Sequence, residues 1–111
     1  METDMFQKKS ADGYKLALDK IEMKTLVHGE KTLMVEFRME KGALLPRHSH
    51  PHEQIGYLVS GRREMTIDGK TFPVEPSDSW CIAGEIGHSA AILEDAIAVE
   101  VFSPVRDEYL S

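Results

Sequence analysis

The sequence predicts an all-β chain, a single antiparallel sandwich or barrel, and three observations carry that prediction. Apolar residues recur with period two over most of the length, turn-forming residues punctuate the chain at short intervals, and prolines at 46, 51, 73, 76 and 104 interrupt the interior runs that a helix needs. At 111 residues, 41% hydrophobic and 29% charged, the chain has the size and composition of one folded domain with one core.

Each element follows from the same two signals. The first dozen residues, with "QKKSADG", are polar and read as a loosely attached, frayed segment (1–12), which leaves 13–111 as the domain. In "YKLAL" the residues Tyr14, Leu16 and Leu18 share a parity, as do Ile21, Met23 and Thr25 in "IEMKTLV", so both stretches read as two-faced strands. The turn "HGEK" at 28–31 separates them from "LMVEFRM", where Leu33, Val35, Phe37 and Met39 fall on one face and Glu36 and Arg38 on the other. Further turns are read at "KGALLP" (41–46), "SGRR" (60–63) and "PVEPSD" (73–78). Asp68-Gly69, between "EMTI" and "TFPV", is a hairpin signal. Trp80, Cys81 and Ile82 make an apolar strand in which Cys81 reads as core packing. No repeat or low-complexity segment is present.

Composition excludes several function classes. The formal net charge is −6 and no block of Lys and Arg supplies the positive footprint of a nucleic-acid binder. The single cysteine permits no internal disulfide, which is compatible with a reducing compartment. The N-terminus has no apolar signal core and no stretch has the length of a membrane span, so the expected address is the cytoplasm.

The chemistry concentrates in "PRHSHPHEQIGY" (46–57), which holds three of the five histidines. His48 and His50 stand at i and i+2, so in an extended strand both rings leave the same face, about two rises of ~3.3 Å apart, and can share one ion. Gln54 keeps that parity, while Glu53 points to the other face and becomes a ligand only if the strand turns over. His88, in "EIGHSA", supplies a fourth donor if closure of a barrel brings its strand alongside. The result is a site of three imidazoles and one side-chain carbonyl, suited to zinc, nickel, iron, manganese or cobalt. A neutral amide in place of a carboxylate leaves the ion its full formal charge, which favours Lewis-acid work over redox chemistry. His52 reads as a solvent-facing residue at the mouth, with a fifth ligand as the alternative, and His28 as a turn residue.

These residues carry a family resemblance. "GALLPRHSHPHEQ" resembles the first motif of the cupin superfamily through Gly42, His48, His50, Gln54 and Gly61, and "PSDSWCIAGEIGHSA" resembles the second through His88. The second motif departs from the pattern at Ser77, Ala83 and Ile92, where glycine, proline and asparagine are usual. The resemblance implies an antiparallel jelly-roll barrel, often a homodimer, with a divalent metal inside. "HSHPHEQIGYLVSGR" and "EVFSPVRDEYL" are further similar to the small single-domain cupins of pectin and alginate breakdown, which open the ring of unsaturated uronates. That likeness implies a sugar-acid substrate, the glutamine ligand, and catalytic roles for Glu100, Phe102 and Arg106; aspartate is usual where Glu100 stands.

Duller readings stand beside these. Glu100 also fits a satisfied polar residue near a strand end, and Arg106 a surface partner of Asp107 or Glu108. A cupin that captures a small anion or sugar without turnover, or a metal-dependent dioxygenase, is compatible with the same ligands.

Overall fold

The structure, a computed structural model, describes residues 5–110. Eight strands run in the order β1 (Lys15–Leu18), β2 (Ile21–His28), β3 (Leu33–Met39), β4 (Leu44–His48), β5 (Glu53–Ile67), β6 (Lys70–Val74), β7 (Ser79–Ile82) and β8 (His88–Ser103). A single 3-10 turn, Asp107–Tyr109, follows them. Every pairing is antiparallel, in the order β1-β2-β3-β8-β5-β6, with β4 added to β8 and β7 to β5. The architecture is the expected all-β jelly roll. No helix among the described residues is long and apolar enough to cross a membrane.

The two long strands, β5 and β8, organise the barrel because each belongs to both walls. The first part of β5 pairs with β7 and the last part of β8 with β3, whereas the last part of β5 pairs with β6 and the first part of β8 with β4. Where one wall gives way to the other, the β5–β8 register shifts at Leu58/Ser60, Ser60/Arg62 and Arg62/Arg63. "SGRR" is therefore not a turn, as its composition suggests, but a bulged bend inside one strand. Gly61 sits there at φ +85°, and a Cβ on it would overlap the Asp95 carbonyl and Ala96, so only glycine fits.

That bend explains which side chains meet. Inward parity in β5 runs through Gln54, Gly56 and Leu58 before the bulge and through Arg63 and Met65 after it. The even-to-odd switch keeps one face of the ribbon inside as the two walls close on each other. The core is built from that face together with Ile21, Met23, Leu33, Val35, Phe37 and Met39 of β2 and β3, as their alternation predicts.

Other elements refine the expectations. Asp68 and Gly69 have φ of +50° and +80°, the two positive angles of a type I′ turn, between the paired Ile67 and Lys70. Alternation in β1 buries nothing: all four residues are exposed, Leu16 at 70%, and β1 is the edge strand of the sheet, paired with β2. Cys81 lies outward between Trp80 and the buried Ile82, so the core role expected for it is wrong by one position of the pleat. The turn at 41–46 is shorter than expected, since β4 begins at Leu44, and His28 closes β2 rather than sitting in the turn. Residues 5–12 carry no strand, and Lys24 Nζ ties this segment down by donating to the Ser10 carbonyl at 2.8 Å. The part of the expected frayed segment at 1–4 lies outside the described residues.

Candidate metal centre

β4 ends at His48, so His50 is carried not by an extended strand but by the bend that Pro51 continues. The bend is anchored to the loop before β8, where Glu85 N donates to the His50 carbonyl at 2.7 Å. His48 pairs with His88 in the β4–β8 register, which brings the distant third ring alongside. Ring centroids lie 5.8 Å apart for His48 and His50, 4.2 Å for His48 and His88, and 5.1 Å for His50 and His88. One ring nitrogen from each falls within 4.8 Å of the others. His50 and His88 are buried and His48 is exposed at the mouth.

Each ring is oriented by a backbone carbonyl two residues away. Nδ1 of His48 meets Pro46 O at 2.9 Å, Nδ1 of His88 meets Ile86 O at 2.9 Å, and Nδ1 of His50 meets His52 O at 3.0 Å. A neutral imidazole has one N–H, and in all three rings the carbonyl claims it at Nδ1; Nε2 is left as a lone pair. Burial is the main cause that pushes the proton affinity of His50 and His88 below the ordinary 6.5, and the Arg106 charge adds to it in both.

Gln54 completes the donor set. Its Oε1 lies 2.7 Å from His50 Nε2, and its Nε2 donates to Glu100 Oε1. The neutral ring and the carbonyl oxygen are then two acceptors facing each other. Reversing the amide only moves the conflict, because the carbonyl would then face the Glu100 carboxylate. A shared cation, or a proton on His50, relieves it, and burial and Arg106 oppose the proton. The residues present therefore fit a divalent metal held by His48, His50, Gln54 and His88.

The remaining candidates surround this set. Glu100 is 5% exposed and Phe102 2%. The Phe102 ring stands 5.9 Å from His50 and 5.1 Å from the Arg106 guanidinium. Arg106 also lies 4.3 Å over the Tyr109 ring and donates Nη2 to Glu108 at 2.8 Å, while its buried Nε has no hydrogen-bond partner. The surface pairing considered for Arg106 thus exists, with Glu108, without removing the residue from the site. Glu53 is exposed and outside the set, as its parity requires. His52 is half-buried rather than solvent-facing and contributes its carbonyl, not its ring. A cavity of about 40 Å³ joins His48, Gln54, His88, Glu100, Phe102 and Arg106, which is room for an ion and roughly one or two waters.

Two participants escape sequence reasoning. Trp80 reaches Glu100 Oε1 with its indole N–H at 3.3 Å, crossing above Gly56, where any Cβ would collide with the ring. Arg63 places Nη2 4.0 Å from Glu100 Oε2. The parity switch across Gly61 is the signal that marks Arg63 as inward.

The depressed proton affinities fix the sign of a pH effect. In metal-free protein the folded state binds fewer protons at His50 and His88 than the unfolded chain, so their contribution is full above the ordinary 6.5 and is lost as pH falls through the lower folded values. Melting temperature in chelator is expected to fall on going from about pH 8 to about pH 5. A melting temperature that rises on acidification would contradict the assignment of both rings as neutral.

Comparisons with known proteins agree with this fold. The family described as Cupin domain matches residues 35–104. The chain is 29% identical over 94 residues to the pectin degradation protein KdgF of Dickeya dadantii, covering 83% of this chain and 86% of that one. The solved structure of KdgF from Halomonas sp. superposes with a TM-score of 0.84 at 30% identity, over 87% of this chain and 92% of that one. An RmlC-like cupin from Shewanella frigidimarina gives a TM-score of 0.92 at 22% identity over 97% of both chains, a likeness of fold.

Proposed function

The chain belongs to the cupin domain family, and from that premise we propose that it is a divalent-metal enzyme that opens the ring of 4,5-unsaturated uronates to linear keto acids. The observation that carries the reading is the convergence of three imidazoles, one ring nitrogen of each within 4.8 Å of the others, beside a cavity lined by an uncharged amide, a carboxylate and Arg106. The similarity to pectin degradation proteins supports the sugar-acid class.

When bound, the ion supplies Lewis acidity to a substrate carboxylate or neighbouring oxygen, and zinc, nickel, iron, manganese and cobalt all suit the ligands. The chain's own residues do the rest. Arg106 offers its unpartnered Nε–H to the substrate carboxylate, and the fork of guanidinium donors fixes the orientation of that planar group. Phe102 stands against both Arg106 and His50 and closes one wall of the cavity. The cavity is too small for a sugar, so the substrate docks at the open mouth where His48 is exposed.

Glu100 carries the proton. Ring opening is an isomerisation: the hemiacetal hydroxyl loses a proton as the ring C–O bond breaks to leave an aldehyde and an enolate, and the enolate gains that proton at carbon as it becomes the ketone. A single carboxylate serves both steps because what it takes it can return. Burial beside the donors of Gln54 and Trp80 holds that carboxylate in place.

One observation favours a second reading, capture of a sugar acid or small anion without turnover. Glu100 already faces three donors, from Gln54, Trp80 and Arg63, as a purely structural carboxylate would. The deciding experiment mixes metal-loaded protein with unsaturated galacturonate, or its guluronate and mannuronate relatives, and follows the enol-ether absorbance. Decay that depends on the metal is expected; equal decay in a chelated control leaves the ring-opening reading without support.

A further inference from the structure

Arg63 is a charge with poor company. It is 1% exposed. Its guanidinium lies 4.3 Å over the Trp80 ring, with Nη1 3.6 Å from Met39 Sδ and Nη2 3.2 Å from Met65 Sδ. Among the described residues Nε has no partner, and the one ion pair is the 4.0 Å approach to Glu100 Oε2. Thioethers are weak acceptors and an indole face is a weak counter-charge, so this environment compensates little of the desolvation cost. A methionine or leucine of similar volume would suit the neighbours better. Stability therefore does not account for the arginine.

Its position in the network does. The two oxygens of Glu100 are divided: Oε1 accepts from Gln54 Nε2 and from Trp80 Nε1, and Oε2 faces Arg63. Arg63 and Trp80 together fix how the carboxylate is turned, and the guanidinium is the charged member of that pair. The turned carboxylate in turn claims the NH₂ end of the Gln54 amide, which leaves the oxygen end facing His50 Nε2 at 2.7 Å. Without a carboxylate so placed, the lone pair of His50 Nε2 favours the NH₂ end of that amide instead.

We infer that Arg63 is a positioning residue for the metal centre: by holding Glu100 it selects the oxygen end of Gln54 as the end presented to the ion. The inference rests on the metal reading given under Proposed function, not on the identity of the substrate.

The test is a competition titration of metal-free protein with Zn²⁺ and Co²⁺, together with the visible spectrum of the Co²⁺ form, for the parent, Arg63→Met, Gln54→Ala and the double variant. Arg63→Met is expected to melt no lower than the parent, since a poorly compensated buried cation is gone. Its metal affinity is expected to fall roughly 10–100-fold, the usual cost of losing an outer-shell partner, with the Co²⁺ bands displaced in the same direction as in Gln54→Ala. The double variant should lose no more than Gln54→Ala alone, because the effect passes through that amide. Parent affinity with an unchanged Co²⁺ spectrum in Arg63→Met, or additive losses in the double variant, overturns the inference. Arg63→Gln carries the same test if the methionine variant does not fold. Turnover of the parent is read separately: a parent that binds metal but leaves uronates intact overturns ring opening and leaves Arg63 to the titration, whereas a parent that binds neither ion overturns both.

Discussion

Replacing Glu100 by glutamine is expected to slow uronate ring opening by about 10²–10⁴-fold, the range that general acid–base catalysis supplies, while metal and ligand still bind. Glutamine is the informative choice because it keeps the shape of the carboxylate and one acceptor oxygen beside Gln54, Trp80 and Arg63 while removing its basicity. What disappears is the capacity to take a proton from the hemiacetal hydroxyl and return it at carbon. Steady-state rates show the loss, and Co²⁺ titration of the same variant shows whether the centre is intact. Glu100→Gln with parental turnover removes Glu100 from the chemistry; a variant that binds a saturated uronate like the parent, from a parent that never turned over, supports the capture reading instead.

Local signals and long-range ones were unequally legible in the sequence. The Asp68-Gly69 hairpin was readable because a type I′ turn is decided by two residues alone. Alternation in "LMVEFRM" was readable because that strand has a core face along its whole length, and the same pattern misled in β1 because periodicity reports two faces without reporting what covers them. The Ser60–Arg63 bulge uses the same residues as a turn. Only the continued pairing of β5 with β8 on both sides of it distinguishes the two, and that pairing is a property of a strand nearly forty residues downstream.

The same division runs through the site. His48 and His50 are two residues apart, so a single local argument joined them; the argument assumed a continuous strand, and the bend at Pro51 reached the same convergence by another route. His88 needed the β4–β8 register, which barrel closure and the family resemblance anticipated without giving the pairing itself. Arg63 and Trp80 stayed hidden because their roles depend on pairs: Trp80 acts through the space above Gly56, and Arg63 through a parity that changes at Gly61. Both pack against Glu100, at positions where types are unconstrained by any motif and only placement matters.

His48→Ala separates coordination from packing more cleanly than substitution of either buried ring. His48 is exposed at the mouth, so truncating it removes little from the core, yet its ring is one of the three that approach each other and its Nδ1 is already held by the Pro46 carbonyl. Metal affinity is expected to drop by more than the roughly 10–100-fold that an outer-shell loss costs, because a donor itself is gone. Linkage turns that drop into a thermal signal. An ion present at a hundred times its dissociation constant stabilises the folded chain by about 2.7 kcal/mol, which for a domain of this size raises the melting temperature on the order of 10 °C. The parent is expected to show that rise on adding Zn²⁺, and His48→Ala to show little of it at the same concentration, with metal-free melting temperatures nearly alike. His88→Ala should lose the metal shift as well but start from a lower metal-free melting temperature, since that ring is buried. Equal metal shifts in the parent and both variants would mean that the ion binds elsewhere, and the imidazole cluster would then have to be read as a hydrogen-bonded feature of the barrel mouth.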